Sequence, residues 1–335
     1  MTSLTGPITL SQVAKLQNNP AFKGVIQNVI RESKVLGYMS FENVDSLEVQ
    51  AVRWIKLPET DFRQINAGYQ QVSGDVDQVY ESLYAFGADM RMDRVYDKLG
   101  NYIKDPRQQN VEMITKSAAY KFKDQLINGD HGVTPDGFEG LKKRISNMST
   151  RQYMMIGNVG GNAPYDPKNS VGEAINFVDY WEQAHYKANE GDVQMIVLNE
   201  AMYWGFTRVL RYAGIEYGAM MDITKDQFDR NVITYKGVPF VDVGWQIDMV
   251  TEVITNTEPV GSSNTGTSVY FVPLNMEQGV TGIQLSNLEV YDPLGGGEME
   301  SLPSKLMRME WWCWIAGFGS YGPTRLCGIQ DPALW

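Results

Sequence analysis

The chain has 335 residues, which at about 150 residues per domain corresponds to two domains. Its apolar fraction of 43% and charged fraction of 21% are ordinary for a globular protein, and they exclude a disordered chain and a coiled-coil rod. The formal net charge of −11 repels phosphate backbones and argues against a dedicated DNA-binding role.

Two residue counts restrict the chemistry further. The chain has two cysteines, Cys313 and Cys327, and two histidines, His131 and His185. The low number of histidines argues against an enzymatic function, because most catalytic triads and transition-metal sites use imidazole. The first seven residues lack the basic start and apolar stretch of a signal peptide, and no stretch approaches the roughly 20 apolar residues that span a bilayer. We therefore expect a cytosolic chain with free, buried thiols and no membrane segment.

The N-terminal residues are predicted to form an arm with one short amphipathic helix. The residues before position 20 are polar and rich in turn formers. Apolar residues then recur at intervals of three and four, at Phe22, Val25, Ile26, Val29 and Ile30.

A long β-hairpin is predicted after the arm. Alternation around Val52, Trp54 and Lys56 indicates the first strand, which ends at Pro58, and the return strand is expected over residues 62–72. A hairpin of two strands is marginal in water, so its stability is expected to come from a partner. A further strand is predicted within residues 79–92.

The strongest helix signal follows. Asp105 is suited to the N-cap, Pro106 to the first helical position and Asn128-Gly129 to the C-terminal stop, which gives a helix of about 23 residues, or roughly 35 Å. Three lysines of this helix are predicted to form a solvated outer face: Lys116, Lys121 and Lys123.

An α/β unit is predicted after a loop over residues 157–169, where we place a domain boundary. Ser170 and Glu173 form a capping box for a helix that ends near Gly191 and carries His185 on its inward face. A strand over residues 193–198 precedes a second helix, which Asn199 caps and Gly214 ends.

The remainder is predicted to be rich in strands. Lys236-Gly237 is a hairpin turn, residues 268–273 form a strand, and residues 261–266 are a flexible connector. Residues 306–316 are apolar on both faces in their second half, which predicts a central strand.

No motif predicts a catalytic, cofactor-binding or metal-binding residue. Gly317–Gly322 matches GxGxxG, but too few residues follow it for a dinucleotide-binding unit, so we interpret it as a turn. Asp75 and Asp77 are interpreted as a solvated turn, and both histidines as core or loop residues. A site built from two carboxylates stays open, because sequence does not reveal their separation.

The order of these elements, and four sequence segments within it, resemble the major capsid proteins of tailed bacteriophages, which have the Hong Kong 97-type fold. Residues 109–119 resemble the spine helix of that family, and residues 137–141 resemble the segment with which the spine helix region ends. Residues 192–201 resemble the strand-to-helix step of the axial domain, and residues 235–239 its later hairpin.

This resemblance implies an α+β fold in four parts. They are an N-terminal arm over residues 1–33, an extended hairpin loop over residues 34–74, a peripheral domain over residues 75–165 and 286–335, and an axial domain over residues 166–285. The spine helix over residues 105–128 lies in the peripheral domain. The hairpin is expected to lie over a neighbouring subunit.

The implied function is structural. Copies of the chain would assemble through pentamers and hexamers into an icosahedral shell around double-stranded DNA, in the bacterial cytoplasm, without cofactors and without sequence-specific DNA contacts. The partners implied are a separate scaffolding protein, a portal and a decoration protein. Six residues are the candidates for contacts between subunits: Arg53, Trp54, Lys56, Phe62, Phe22 and Ile26.

Three other functions stay open at this point. An encapsulin-type nanocompartment uses the same fold to enclose a cargo enzyme. A carboxylate-based hydrolase would be a small oligomer with a deep cleft. A tail-tube or portal subunit would form rings or tubes instead of closed shells.

Overall fold

A computed structural model describes residues 8–11, 20–93, 106–147, 151–157, 163–215, 217–226, 229–275, 279–291, 294, 304–316 and 322–335. In these residues, no helix is both long enough and apolar enough to cross a membrane. The GxGxxG match at residues 317–322 lies outside them except for its last glycine, as does Asp105.

The arm contributes to the chain's own core. A short strand β1 (Ile8–Thr9) precedes helices α1 (Pro20–Glu32) and α2 (Lys34–Tyr38) and strand β2 (Ser40–Asn43). The predicted amphipathic helix is confirmed, because the side chains at positions 26, 29 and 30 of α1 are buried.

The hairpin consists of β3 (Glu48–Lys56) and β4 (Asp75–Ser82), which pair antiparallel. The predicted first strand is confirmed, but the return strand expected over residues 62–72 is wrong. Residues 57–74 have no strand structure, and they are exposed throughout. Residues 62–72 form no β-ladder, because the cross-strand partners of β3 are the residues of β4, which lie further along the chain.

The spine helix α3 (Pro106–Asn128) has the predicted bounds and length of 23 residues. It ends where Gly129 approaches the carbonyl oxygens of Gln125 and Phe138 so closely that a Cβ atom would collide with both. The short helix α4 (Leu141–Asn147) follows.

A six-stranded sheet packs against the spine helix. After β5 (Tyr84–Asp93) it contains β13 (Thr281–Gln284), β14 (Glu289–Tyr291) and β15 (Ser304–Ala316). Strand β15 is central as predicted, with β5 on one side and β13 and β14 on the other; β13 leads on to β2 and β1.

An eight-stranded sheet forms the α/β unit. Its order is β6-β16-β12-β7-β10-β9-β8, and β11 pairs with β12. The strands are β6 (Tyr153–Met155), β7 (Met195–Leu198), β8 (Met221–Lys225), β9 (Asn231–Tyr235), β10 (Val238–Asp242), β11 (Glu258–Val260), β12 (Ser263–Val272) and β16 (Thr324–Gln330). Its helices are α5 (Val171–Lys187), α6 (Glu200–Tyr212) and α7 (Tyr217–Met220).

The two sheets share one of two hydrophobic cores. Met195 and Val197 of β7 face the core that also holds the spine helix, whereas Ile196 and Leu198 face the core beneath α5 and α6. Every residue of β7 is therefore buried, as expected for a strand covered on both faces.

Local signals in this unit are largely confirmed. The side chain of Ser170 accepts a hydrogen bond from the amide of Glu173, and Asn199 accepts one from the amide of Met202. The Glu173 carboxylate accepts from the Tyr165 hydroxyl, so only half of the predicted capping box is present. Lys236 and Gly237 adopt positive φ angles of 49° and 84° in the predicted hairpin turn.

Three segments differ from the expected organisation. Strand β16 joins the eight-stranded sheet, whereas the resemblance implies that residues 286–335 belong to the peripheral domain. Strand β13 joins the six-stranded sheet, although it lies within residues 166–285. The expected connector over residues 261–266 is a turn followed by the start of β12.

Candidate assembly surface

The hairpin carries much of the exposed apolar surface of the described chain. Both of its strands and the segment between them display large apolar side chains to solvent: Val52, Leu57, Phe62, Ile65, Tyr69, Val72, Val76 and Tyr80. Full burial of each such side chain is worth about 1.5–3 kcal/mol, so this surface favours association with another molecule.

The tip of the hairpin is held by local contacts. The guanidinium of Arg63 donates to the carbonyl oxygen of Ala67 at 3.0 Å and lies 4.8 Å from the centre of the Tyr69 ring. Asn66 has a φ of 68°, which lets the chain reverse between them. Phe62 and Ile65 are consequently presented outward, and Ile65 keeps 93% of its accessible surface.

The base of the hairpin is fixed to the core by Arg144 of α4. Its guanidinium binds both carboxylate oxygens of Glu81 in β4, at 2.7 and 3.1 Å, and donates to the carbonyl oxygen of Ile315 at 2.6 Å. Its Nε donates to the carbonyl oxygen of Glu139 at 2.8 Å. Because both charged side chains are nearly buried, this bidentate pair sets the direction in which the hairpin leaves the core.

Two of the predicted contact residues lie on the exposed part of this hairpin. Lys56 ends β3 and its ammonium lies 3.0 Å from the Glu59 carboxylate, and Phe62 is fully exposed at the tip. The backbone places Arg53 opposite Asp77 and Trp54 opposite Val76. The side chains of Arg53, Trp54 and Phe22 lie outside the described part of the structure.

Ile26 is a correction. Its side chain is fully buried in the core of its own chain, where α1 packs against the spine helix, so it presents no surface to a neighbour. The amphipathic pattern of α1 predicts that one face of the helix is buried. It does not show whether that face packs within its own chain or against a neighbouring subunit.

The exposed apolar residues of β4 and of the tip were missed, except for Phe62. A partial signal is present in the sequence, because Val76 lies between Asp75 and Asp77 and Tyr80 precedes Glu81, but it is compatible with the solvated turn expected there. In the structure these two aspartates are residues of β4.

A second exposed apolar group occupies the loop after β10. Trp245, Ile247, Met249 and Val250 are all exposed there. Asp248 rigidifies the loop: its carboxylate accepts hydrogen bonds from the amides of Val250 and Thr251 and from the Thr251 hydroxyl, at 3.0, 2.9 and 2.6 Å. These bonds favour the ionised carboxylate and so lower the pKa of Asp248.

The predicted solvated face of the spine helix also needs correction. Lys116 and Lys121 are exposed, but Lys123 is buried beneath the end of β10, next to Asp242 and Gly244. Its ammonium lies 4.0 Å from the centre of the Tyr120 ring. Burial lowers the pKa of Lys123 to about 8, and the nearby carboxylates of Asp242 and Glu32 only partly oppose that shift.

The side chains with catalytic potential are dispersed. Burial lowers the pKa of His185, whose Nε2 has no hydrogen-bond partner, and His131 lies on an exposed loop. Cys313 and Cys327 are free, buried thiols whose pKa values are raised by burial. Among the described residues, no three His, Cys, Asp or Glu side chains are grouped so as to hold a metal ion.

The buried carboxylate of Glu258 forms ion pairs that connect several elements of the fold. The guanidinium of Arg325 in β16 binds both carboxylate oxygens of Glu258 at 2.8 and 2.9 Å, and Ser268 donates to the same carboxylate. Lys142 of α4 adds a fourth contact at 3.1 Å. The cations of Arg325 and Lys142 keep the pKa of Glu258 below its usual value despite burial. Together these side chains join α4 to strands β11, β12 and β16.

Residues 23–166 match the family model of the major capsid protein GP7. This match covers somewhat less than half of the chain and spans most of α1, the hairpin and the spine helix. No curated protein sequence matches the chain.

Solved structures match nearly the whole chain. An encapsulin from the holo-SrpI complex of Synechococcus elongatus PCC 7942 has a TM-score of 0.58 at 13% identity, and the match covers 95% of each chain. The capsid of a native GTA particle has a TM-score of 0.52 at 15% identity, covering 90% of this chain and 89% of the other. A structure from Mycobacterium phage Adephagia has a TM-score of 0.53 at 11% identity, with coverages of 88% and 89%.

The chain has the Hong Kong 97-type capsid fold. The fold expected from the order of its elements is thereby confirmed. The hairpin and the loop after β10 each expose a group of large apolar side chains.

Proposed function

We propose that the chain is the major capsid protein of a tailed bacteriophage and forms the shell of its head. The observation that carries this proposal is the hairpin: it is anchored to the core at its base, while its tip and the outer parts of its two strands leave large apolar side chains exposed. Copies packed in a closed shell would cover that surface, and many modest contacts per subunit would add together.

The details of assembly belong to the same proposal. Copies associate through pentamers and hexamers into an icosahedral shell that encloses double-stranded DNA without reading its sequence, and the chain is not an enzyme. The net charge of −11 suits such a lining, because a surface that repels phosphates lets DNA be packed and later released. The expected partners are a scaffolding protein, a portal and a decoration protein, with assembly in the bacterial cytoplasm.

Electron microscopy of the purified chain tests this function. The protein is expressed with and without its genomic neighbours, and particles are examined by negative stain and light scattering. Uniform closed shells tens of nanometres across are expected. A soluble species of one to four subunits under every salt and scaffold condition would overturn the proposal and favour the carboxylate hydrolase.

An encapsulin-like nanocompartment is the second candidate, because the encapsulin match covers 95% of both chains with a TM-score of 0.58. The contents of the particles separate the two functions. Double-stranded DNA in particles isolated from infected or induced cells supports the capsid, whereas a single co-purifying protein cargo supports the nanocompartment. Rings or open tubes would instead indicate a portal or tail-tube subunit.

A further inference from the structure

The loop after β10, residues 244–253, has a closed conformation. The amide of Gln246 donates to the carbonyl oxygen of Thr251 at 2.7 Å, and Trp245 lies opposite Glu252 in an antiparallel bridge. Directly opposed residues of such a bridge carry their side chains on the same face. The loop therefore places an exposed indole ring beside a carboxylate.

The loop is fixed to the fold at its C-terminal end. Val253 and Ile254 are buried in the core that holds the spine helix. The carbonyl oxygen of Val253 accepts a hydrogen bond from the side chain of Asn128 at 2.8 Å, and that of Ile254 accepts one from Asn199 at 3.2 Å. These contacts fix the position of the loop relative to the spine helix and to α6.

The tip of the loop holds a methionine in a left-handed backbone conformation. Met249 has a φ of 57°, which is unfavourable for a residue with a long side chain. Its side chain keeps 69% of its accessible surface, so burial within the subunit does not account for a methionine at this position. Strained residues of this kind are found at binding sites, where an apolar group that is already ordered loses little entropy when a partner binds.

Acidic side chains surround these apolar groups. Burial raises the pKa of Glu252, and three neighbouring carboxylates raise it further: Asp242, Glu200 and Asp331. Together with Asp248 of the loop, these residues form an acidic rim. The apolar tip and the acidic rim are thus parts of one surface.

The cations nearby compensate only a part of this rim. Lys34 lies 3.7 Å from Asp242, and the buried Lys123 is also near that carboxylate. Arg208 donates to the carbonyl oxygens of residues 332 and 335. In the described part of the chain, no lysine or arginine forms an ion pair with the other residues of the acidic rim.

This combination selects the chemistry of a partner. The acidic rim repels the phosphates of nucleic acids and of anionic lipids, and a second copy of the chain carries a net charge of −11. A segment with apolar side chains on one face and lysine or arginine on the other matches both the tip and the rim.

We propose that the loop after β10 is the docking site for a basic amphipathic segment of a different protein. Apolar side chains of that segment cover Trp245 and Met249, while its lysine or arginine side chains face the acidic rim. The inference rests on the proposed function, because the partner is expected among the proteins that associate with the shell.

Photo-cross-linking in particles tests the identity of the partner. Met249 is replaced by the photoreactive amino acid p-benzoylphenylalanine, and the chain is expressed with its genomic neighbours. After irradiation, mass spectrometry is expected to find a covalent bond to a segment of another protein that is net positive and carries apolar residues along one face. Cross-links to a second copy alone, cross-links to an acidic segment, or the absence of cross-links would each overturn the proposal. The same replacement at Val133, on another exposed loop, is the control and is expected to give no cross-link to that segment.

Two synthetic peptides test the chemistry on the purified protein. Both are short amphipathic helices with leucine on one face, and they carry either lysine or glutamate on the other. Fluorescence anisotropy in about 0.15 M sodium chloride is expected to show at least tenfold tighter binding of the lysine peptide. Ile247→Ser combined with Met249→Ser is expected to weaken that binding at least tenfold, whereas Val133→Ser leaves it unchanged. Equal binding of the lysine peptide to the double variant would overturn the proposal.

A glycine variant separates docking from folding. Met249→Gly removes the side chain but accepts the positive φ, so the melting temperature of the subunit is expected not to fall while binding of the lysine peptide weakens. Unchanged binding by Met249→Gly would contradict a role for this side chain in docking. Closed shells that show no cross-link at position 249 would overturn this inference alone, whereas failure of the unaltered protein to form shells would count against the capsid function.

Discussion

At the scale of single residues, Arg144 joins a projecting element to the core. Its guanidinium makes four hydrogen bonds, to Glu81, Glu139 and Ile315. Replacement by alanine leaves the Glu81 carboxylate buried without its cation, and removal of one partner of a buried pair costs about 3–5 kcal/mol. We expect Arg144→Ala to lower the free energy of unfolding of the subunit by about that amount, as measured by urea denaturation.

A double variant separates the pair from simple loss of side-chain volume. Arg144→Met with Glu81→Leu removes both charges and keeps apolar groups of similar size, so it is expected to recover at least half of the loss. If the double variant is as unstable as Arg144→Ala, the anchoring role of the ion pair is wrong and packing around α4 carries the stability instead.

Lys123 gives a prediction about pH. Burial lowers its pKa in the folded chain to about 8, whereas the unfolded value is 10.5. Between these values the folded state binds fewer protons than the unfolded state, so the free energy of unfolding rises with pH from about 8 to 10.5. Below pH 8 the cost of the buried charge is fully present. Lys123→Met is therefore expected to stabilise the subunit at pH 7 by about 1–3 kcal/mol.

The measurement is the melting temperature of the unaltered chain and of Lys123→Met at several pH values. The difference between the two is expected to shrink as pH rises above 8. Lys121→Met is the matched control, because Lys121 is exposed on the same helix and its replacement removes the same charge. A destabilised Lys123→Met at pH 7 would mean that the nearby Asp242 and Tyr120 compensate the burial of this charge.

At the scale of elements, the tip of the hairpin is expected to serve assembly and not folding. Phe62→Ser combined with Ile65→Ser removes two side chains that contact little within the described chain, so subunit stability should change by less than about 0.5 kcal/mol. Particle yield is expected to fall by at least tenfold, because buried aromatic anchors dominate interfaces. Light scattering and denaturant unfolding measure the two effects.

Val133→Ser is the control for the tip, since Val133 is also an exposed apolar residue but lies on another loop. It is expected to assemble normally. Normal assembly by the double variant at the tip would show that the tip faces solvent in the particle, and the intersubunit contacts would then have to lie on the strands of the hairpin or on the loop after β10.

Elements with complete local signals could be predicted from the sequence. The spine helix carries its own start and stop, and the turn at Lys236-Gly237 is indicated by Gly237, which adopts positive φ without steric cost. The N-cap of α6 at Asn199 is equally local. Each of these signals depends on residues within one or two turns of the chain, so the sequence contains all that is needed.

Elements that depend on distant partners could not be predicted in the same way. The return strand of the hairpin is chosen by its ladder with β3, and β16 joins its sheet through β12 and β6. The burial of Lys123 comes from Asp242 and Gly244, more than a hundred residues away.

At the scale of the whole molecule, charge opposes assembly and apolar surface favours it. Each chain carries −11, so copies repel one another at low ionic strength, whereas the exposed side chains of the hairpin attract. Salt shortens the range of the repulsion, from about 30 Å at 0.01 M to about 3 Å at 1 M, and it leaves apolar burial largely unaffected. We therefore expect the assembled fraction of purified subunits to rise with added sodium chloride, as measured by light scattering.

The Phe62→Ser and Ile65→Ser double variant shows whether salt acts through this balance. Screening removes repulsion but supplies no attraction, so the variant is expected to stay unassembled at every salt concentration at which the unaltered chain forms particles. Aggregation of both proteins alike would indicate non-specific salting out. An assembled fraction that falls with salt would contradict the expectation, because contacts between opposite charges on neighbouring subunits would then outweigh the repulsion of the net charge.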